Sequence, residues 1–240
     1  MIVLIRQLID LAIPPHCPIC DTPVPPGQGI RVECVACSAG IPRHSNYCPR
    51  CSAPLGPYLK AEEGCFHCQK ERFAFESAVA LGEYRDLLRE AILRAKGHQG
   101  LPAASWLVDQ LWEHREADLK RLPVDMATAV PRHWSGRFSG PHHAAEALGV
   151  QLAKRLKVPF RGSILRKIRR TPPQTSLSHS GRRTNLLGAF RASPACEGKR
   201  ILLVDDVMTT GATADRSARA LREAGAQSVH VVAIARGLGR

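Results

Sequence analysis

Eight of the nine cysteines form four Cys-x-x-Cys pairs: Cys17/Cys20, Cys34/Cys37, Cys48/Cys51 and Cys65/Cys68. The last two pairs repeat the first two with a step of 31 residues. Pro18/Pro49, Pro23/Pro54 and Pro26/Pro57 keep the same step, so the segment is a tandem duplication. A Cys-x-x-Cys turn places two thiolates on one side of a tight knuckle, and two knuckles complete a tetrahedral four-thiolate site for Zn2+. The natural grouping is Cys17, Cys20, Cys34, Cys37 and then Cys48, Cys51, Cys65, Cys68; interleaved pairing satisfies the same spacing. An all-cysteine set leaves no position for a reacting water, so two Zn2+ ions with structural roles are expected. A disulfide framework suits a secreted chain, but no leader is read at the start. A thioredoxin-like role needs one such pair at a helix start rather than four in proline-rich sequence. Cys196 stands alone and reads as a packing thiol.

The second constellation is Asp205-Asp206-Val207-Met208-Thr209-Thr210-Gly211-Ala212-Thr213. It follows the apolar run Ile201-Leu202-Leu203-Val204, which suits a buried parallel strand. Two carboxylates at a strand's carboxyl end can accept hydrogen bonds from sugar hydroxyls or hold a hydrated Mg2+. The following turn has small side chains, a glycine and threonine hydroxyls. Its amides can converge on one phosphate, and a helix starting near Thr213 points its positive end at the same place. A phosphate cradle beside a diol grip suits a ribose 5-phosphate. No Lys follows the glycine as in a Walker A loop, and no dinucleotide GxGxxG is present. The two acids are expected to be exposed.

These residues need a scaffold. Residues 1–13 read as a short amphipathic helix before Pro14-Pro15, and residues 14–70 as the duplicated cysteine module, too small for a full hydrophobic core and therefore dependent on its metals. A strand is expected over 73–82, helices over 83–96 and 101–117, a strand over 124–131 and a helix over 142–156. Gly97 closes the first of these helices. Residues 161–190 are basic and turn-rich, without an apolar period, and read as one long functional loop. A helix over 213–224, ended by Gly225, and a buried strand over 228–235 complete a right-handed strand–helix–strand unit. The expected architecture is an α/β parallel-sheet domain, residues 71–240, behind a small double zinc ribbon, residues 1–70.

The chain has 240 residues and a formal net charge of +13. Residues 131–200 hold 15 Lys/Arg against two acids, Glu146 and Glu197, so the rest of the chain sums to zero. Such a segment attracts phosphates, of nucleic acid or of a small polyphosphate. An apolar fraction of 44% excludes wholesale disorder. The first apolar stretch, Ile2 to Ile13, is short and interrupted by Arg6, Gln7 and Asp10, so no membrane span is expected and a cytoplasmic location follows.

Ile201 to Ala214 resembles the phosphoribosyl-diphosphate signature of type I phosphoribosyltransferases. Thr171-Pro172-Pro173-Gln174-Thr175, Leu177-Ser178, Arg182-Arg183, Asn185 and Gly188-Ala189-Phe190 are similar to the preceding segment in the ComF/GntX family of competence-associated proteins, whose members also carry cysteine knuckles. The resemblance implies that the chain takes 5-phosphoribosyl 1-diphosphate with Mg2+. Asp205 and Asp206 would bind the ribose hydroxyls and the metal-bound substrate, and Thr209, Thr210, Gly211, Ala212 and Thr213 the 5-phosphate. Arg132 and Arg137, in the loop after Val130-Pro131, would face the diphosphate. Arg169, Arg170, Gln174, Arg182 and Arg183 would lie on a flexible covering loop. Transfer of the phosphoribosyl group to an unidentified acceptor, in connection with DNA uptake, is the implied activity. The alternative is a ligand-sensing protein that holds single-stranded DNA or docks a competence helicase. Many members read Arg-Gly-Phe-Asn-Gln after the diphosphate loop, where this chain reads Phe138-Ser139-Gly140-Pro141-His142-His143. Only the glycine survives; His142 stands in for the Asn, or else the two histidines begin a surface helix.

Overall fold

The computed structural model describes residues 14–25, 33–41, 46–56, 58, 65–97, 100–131, 144–169 and 186–238. The expected helix over 1–13 lies outside them. The chain forms two compact units, Met1–Pro42 and Arg43–Arg240. The break falls between the two cysteine sets, so the second set shares a unit with the sheet.

The knuckles show the duplication in their backbones. His16 bridges Pro23 and, 31 residues on, Tyr47 bridges Pro54. Asp21 and Ser52 both adopt positive φ, 64° and 55°, and each amide closes the turn onto Cys17 or Cys48. A short helix, α1 (Val35–Ala39), follows Cys34 in the first unit.

In the second unit, four strands form one parallel sheet: β1 (Ser77–Glu83), β2 (Met126–Ala129), β5 (Arg200–Met208) and β6 (Ser228–Arg236), in the order β1-β6-β5-β2. The centre of β6 is apolar at almost every position, and all nine of its residues are buried, as expected for a strand covered on both faces. Helices α2 (Asp86–Ala95), α3 (Gly100–Arg121) and α4 (Ala144–Leu156) lie between β1 and β5 in the chain, and α3 and α4 pack on the sheet and on each other. Helix α5 (Ala212–Glu223) joins β5 to β6 as the expected crossover.

Three expectations need correction. Residues 161–190 are not one loop: β3 (Leu165–Lys167) pairs antiparallel with β4 (Phe190–Ala192). Leu165 and Phe190 are buried, but three-residue strands are too short to show an alternation. Strand β5 continues four residues past Val204, because β6 supplies partners as far as Met208. Helix α3 runs to Arg121, through a non-helical residue at Arg115 (φ −130°, ψ 20°).

Arg115 is buried. Its guanidinium donates to the carbonyl of Ala80 in β1, to Ser52 Oγ at 3.4 Å and to Asp118 Oδ2 at 2.7 Å, and it stacks 3.8 Å above the Tyr47 ring. Ser52 Oγ accepts the Ala80 amide at 2.7 Å, and Tyr47 Oη donates to the Leu81 carbonyl at 3.0 Å. The second knuckle set is thus stitched to the edge strand β1 through polar groups that water cannot serve. The core confirms the attachment: Cys48, Cys51, Cys65 and Cys68 pack with Phe75, Ala78, Ile201 and Val231.

Arg115→Met leaves the Ala80 carbonyl without its cation. We expect a loss of about 2–4 kcal/mol in denaturant unfolding. Lys120→Met, which removes an exposed pair with Glu116, should leave the unfolding midpoint essentially unchanged.

Candidate metal and phosphate sites

The cysteines group sequentially. In each of the two sets, Cys17/Cys20/Cys34/Cys37 and Cys48/Cys51/Cys65/Cys68, the sulfurs lie within 4.8 Å of one another. Tetrahedral Zn–S bonds of ~2.3 Å require sulfurs about 3.8 Å apart. Cys20 and Cys34 are 3.5 Å apart, Cys48 and Cys68 3.6 Å, Cys51 and Cys65 3.6 Å, and Cys65 and Cys68 4.0 Å. Both sets therefore fit Zn2+. Each contains one thiol already favoured as thiolate. The Cys51 thiol, then the Cys51 and Arg50 amides, pull Cys48 down to about 4, while Thr22 pulls Cys20 down to about 6. Cys196 is buried and donates to the Ser193 carbonyl at 3.0 Å, a packing thiol as expected.

The acids sit within β5 rather than beyond it. By the strand's period of two, Asp205 shares the face of Ile201 and Leu203, and Asp206 lies on the opposite one. Neither is exposed, against expectation, because β6 still covers the strand here. Burial, and then the neighbouring Asp206 charge, push the Asp205 carboxyl well above the usual carboxylate range. The Asp206 amide donates to Asp205 Oδ1 at 2.9 Å. Asp206 Oδ2 pairs with Lys96 Nζ at 2.9 Å. Lys96 is the C-cap of α2, and the sequence marked it only as a helix end. Pairing between elements so distant in the chain has no local signature.

Strand β5 runs directly into the turn. Thr209 and Thr210 are half-buried, and Thr210 Oγ1 accepts the Ala212 amide at 3.3 Å. Gly211 caps α5 with φ 78°. A side chain there would be strained, and its Cβ would stand 3.1 Å from the Phe73 ring. Ala212 and Thr213 open α5, so the helix's amide end faces the turn. Asp215 in the first turn of α5 is buried and accepts the Ala74 amide at 2.8 Å. Sequence reading missed it, because its partner lies 141 residues away in the chain.

Of the covering-loop candidates, Arg169 lies at the end of the β3–β4 stem and donates to the Leu187 carbonyl at 2.8 Å. Arg132, Arg137, His142, His143, Arg170, Gln174, Arg182 and Arg183 lie outside the described residues. Among the described residues, no helix is long and apolar enough to cross a membrane.

The chain is similar to several known proteins. Residues 138–240 match the phosphoribosyl transferase domain family, and residues 8–69 the double zinc ribbon domain family. Competence protein F of Haemophilus influenzae is 27% identical over 210 residues, covering 85% of this chain and 90% of that protein. The DNA utilization protein YhgH of Shigella flexneri is 29% identical over 238 residues, covering 95% of this chain and 100% of that protein. A crystal structure of a purine phosphoribosyltransferase from Pyrococcus horikoshii Ot3 superposes with a TM-score of 0.35 and 19% identity, over 55% of this chain and 75% of that chain.

Two outcomes follow. Elemental analysis of protein purified under reducing conditions should find about two zinc per chain; a value near zero would remove both metal sites. Asp205→Asn should stabilise the fold. The folded chain holds the Asp205 proton more tightly than the unfolded chain, so stability is lost as pH rises from the unfolded value near ~3.9 towards the raised folded value. Asn escapes that loss. Its Tm gain should be absent below pH ~4 and reach about 2–4 °C at pH 8. A gain that shrinks with rising pH would contradict the assignment.

Proposed function

Because the chain belongs to the family of Competence protein F and YhgH, a phosphoribosyltransferase domain behind a double zinc ribbon, we propose that it binds 5-phosphoribosyl 1-diphosphate with Mg2+ and transfers the phosphoribosyl group. The observation that carries this reading is the direct run of β5, with Asp205 and Asp206, into the Gly211 turn and the amide end of α5. We take residues 1–70 as the duplicated zinc module and 71–240 as the ligand-binding domain.

The roles follow from position. Thr209, Thr210, Gly211, Ala212 and Thr213 hold the 5-phosphate by turn amides and hydroxyls. Asp205 and Asp206 accept the ribose hydroxyls, and Lys96 pairs with Asp206 beside them. Asp205 and Asp206 are also the carboxylates available to the metal. Bound with the diphosphate, Mg2+ supplies neutralisation of the leaving group's charge. Arg132 and Arg137 add positive charge towards the diphosphate. The segment bracketed by β3 and β4, with Arg169, Arg170, Gln174, Arg182 and Arg183, closes over the ligand and keeps water from an oxocarbenium-like transition state.

The names of the relatives connect the reading to competence and DNA utilization, and our reading sets the protein in the cytoplasm. A second reading keeps the ligand site as a sensor, while the basic stretch 131–200 holds single-stranded DNA or the zinc module docks a helicase. Its support is the charge of that stretch.

Calorimetric titration with 5-phosphoribosyl 1-diphosphate and Mg2+ tests the first reading. Asp205→Asn combined with Asp206→Asn should weaken binding at least ~100-fold, two or more lost charge-assisted contacts, in a chain that still unfolds cooperatively. Unchanged affinity in that double variant would remove the assignment.

A further inference from the structure

The second cysteine set is linked to both ends of the proposed phosphate turn through intervening side chains. Arg236, the last residue of β6, is buried. Its Nε donates to the Cys51 carbonyl at 3.0 Å, and its Nη1 donates to the carbonyls of Met208, at 3.0 Å, and Gly237. Met208 is the last residue of β5, and its carbonyl also accepts the Gly237 amide at 2.9 Å. One guanidinium therefore ties a metal-ligating residue to the point where the chain enters the turn.

A second route reaches the exit. Arg50, between Cys48 and Cys51, donates to the Glu71 carbonyl at 2.6 Å and lies 6.0 Å above the Phe73 ring. Phe73 stacks on Phe75 at 4.5 Å between ring centres and closes against Gly211. Its neighbour Ala74 is held by Asp215 of α5. Both routes begin on backbone whose position the four thiolates set, and they finish on either side of Thr209 and Thr210.

We propose that the metal held by Cys48, Cys51, Cys65 and Cys68 positions the phosphate turn, with Arg236 and Phe73 as the positioning residues. The inference rests on the phosphoribosyl reading only for the identity of the ligand. Ordinary packing would make these contacts stabilise the fold as a whole. A positioning role makes metal and ligand affinities interdependent, and that coupling must run equally in both directions.

The test uses the full chain and Arg236→Lys, which keeps the charge but cannot span three carbonyls. The variant should retain two zinc per chain. Hydrogen exchange over Asp206–Ala214 should accelerate at least ~10-fold while exchange in α4 stays as in the parent, and affinity for 5-phosphoribosyl 1-diphosphate with Mg2+ should fall about 10-fold. In the parent, saturating ligand should raise the second set's zinc affinity in competition with a zinc-selective chelator and so reduce zinc loss at equilibrium, and that gain should shrink in the variant. Cys17→Ser with Cys20→Ser removes the first set and identifies the zinc concerned. Unchanged exchange in a two-zinc Arg236→Lys protein, or zinc loss indifferent to a ligand that does bind, overturns the proposal. If Arg236→Lys does not fold, Phe73→Leu must loosen the turn in the same way, and failure to do so also overturns it. If the parent binds no phosphoribosyl diphosphate, the phosphoribosyl reading falls. Exchange of the turn in variants that keep both zinc ions then still decides the coupling.

Discussion

Four thiolates cannot be buried in an apolar core unless something takes up their charge. This constraint governs the second half of the molecule. Cys48, Cys51, Cys65 and Cys68 are buried and pack among Phe75, Ala78, Ile201 and Val231. Like charges this close would repel strongly at low dielectric. The hydrogen bond between two of the thiols already divides them: it draws Cys48 towards thiolate and, with burial, pushes Cys51 up. A Zn2+ ion resolves the conflict. It also turns the set from a flaw in the core into a rigid corner of it.

Charge on the protein side completes the corner. Arg236 approaches through the Cys51 carbonyl, and its positive charge opposes the rise at Cys51. Arg115 and Ser52 serve the backbone of β1 from the same side. None of these groups can be deleted quietly, since each satisfies buried carbonyls or amides that have no route to water. The second ribbon is therefore built into the sheet domain, and the compact units divide before it, between Pro42 and Arg43.

The phosphate turn inherits this rigidity at one end and tolerates strain at the other. Gly211 takes a left-handed conformation against the Phe73 ring, and two acids consecutive in the chain, on opposite faces of β5, precede it. Burial and the Asp206 charge hold Asp205 in a setting that favours its proton, and Lys96 pairs directly with Asp206. A scaffold chosen for stability alone would not put adjacent acids there. Destabilising groups gathered on a firmly held strand are characteristic of functional sites.

Local pattern was enough for much of this. The 31-residue step announced two four-cysteine sets, because metal ligation demands Cys-x-x-Cys turns whatever surrounds them. The apolar runs of β5 and β6, the helix between them and Gly211 read directly as a parallel strand–helix–strand unit with a tight glycine turn, since burial on both faces and positive φ constrain residue type. Tertiary structure decided what depends on partners remote in sequence. It continued β5 through the acids, because β6 supplies the hydrogen bonds. It paired the three-residue strands β3 and β4, which are too short to carry a period. It brought Lys96 to Asp206, Asp215 to Ala74 and Arg236 to Cys51. Such contacts join residues up to 185 positions apart. A lysine after a helix or an arginine at a strand end looks the same in sequence whether water or a buried carbonyl receives it.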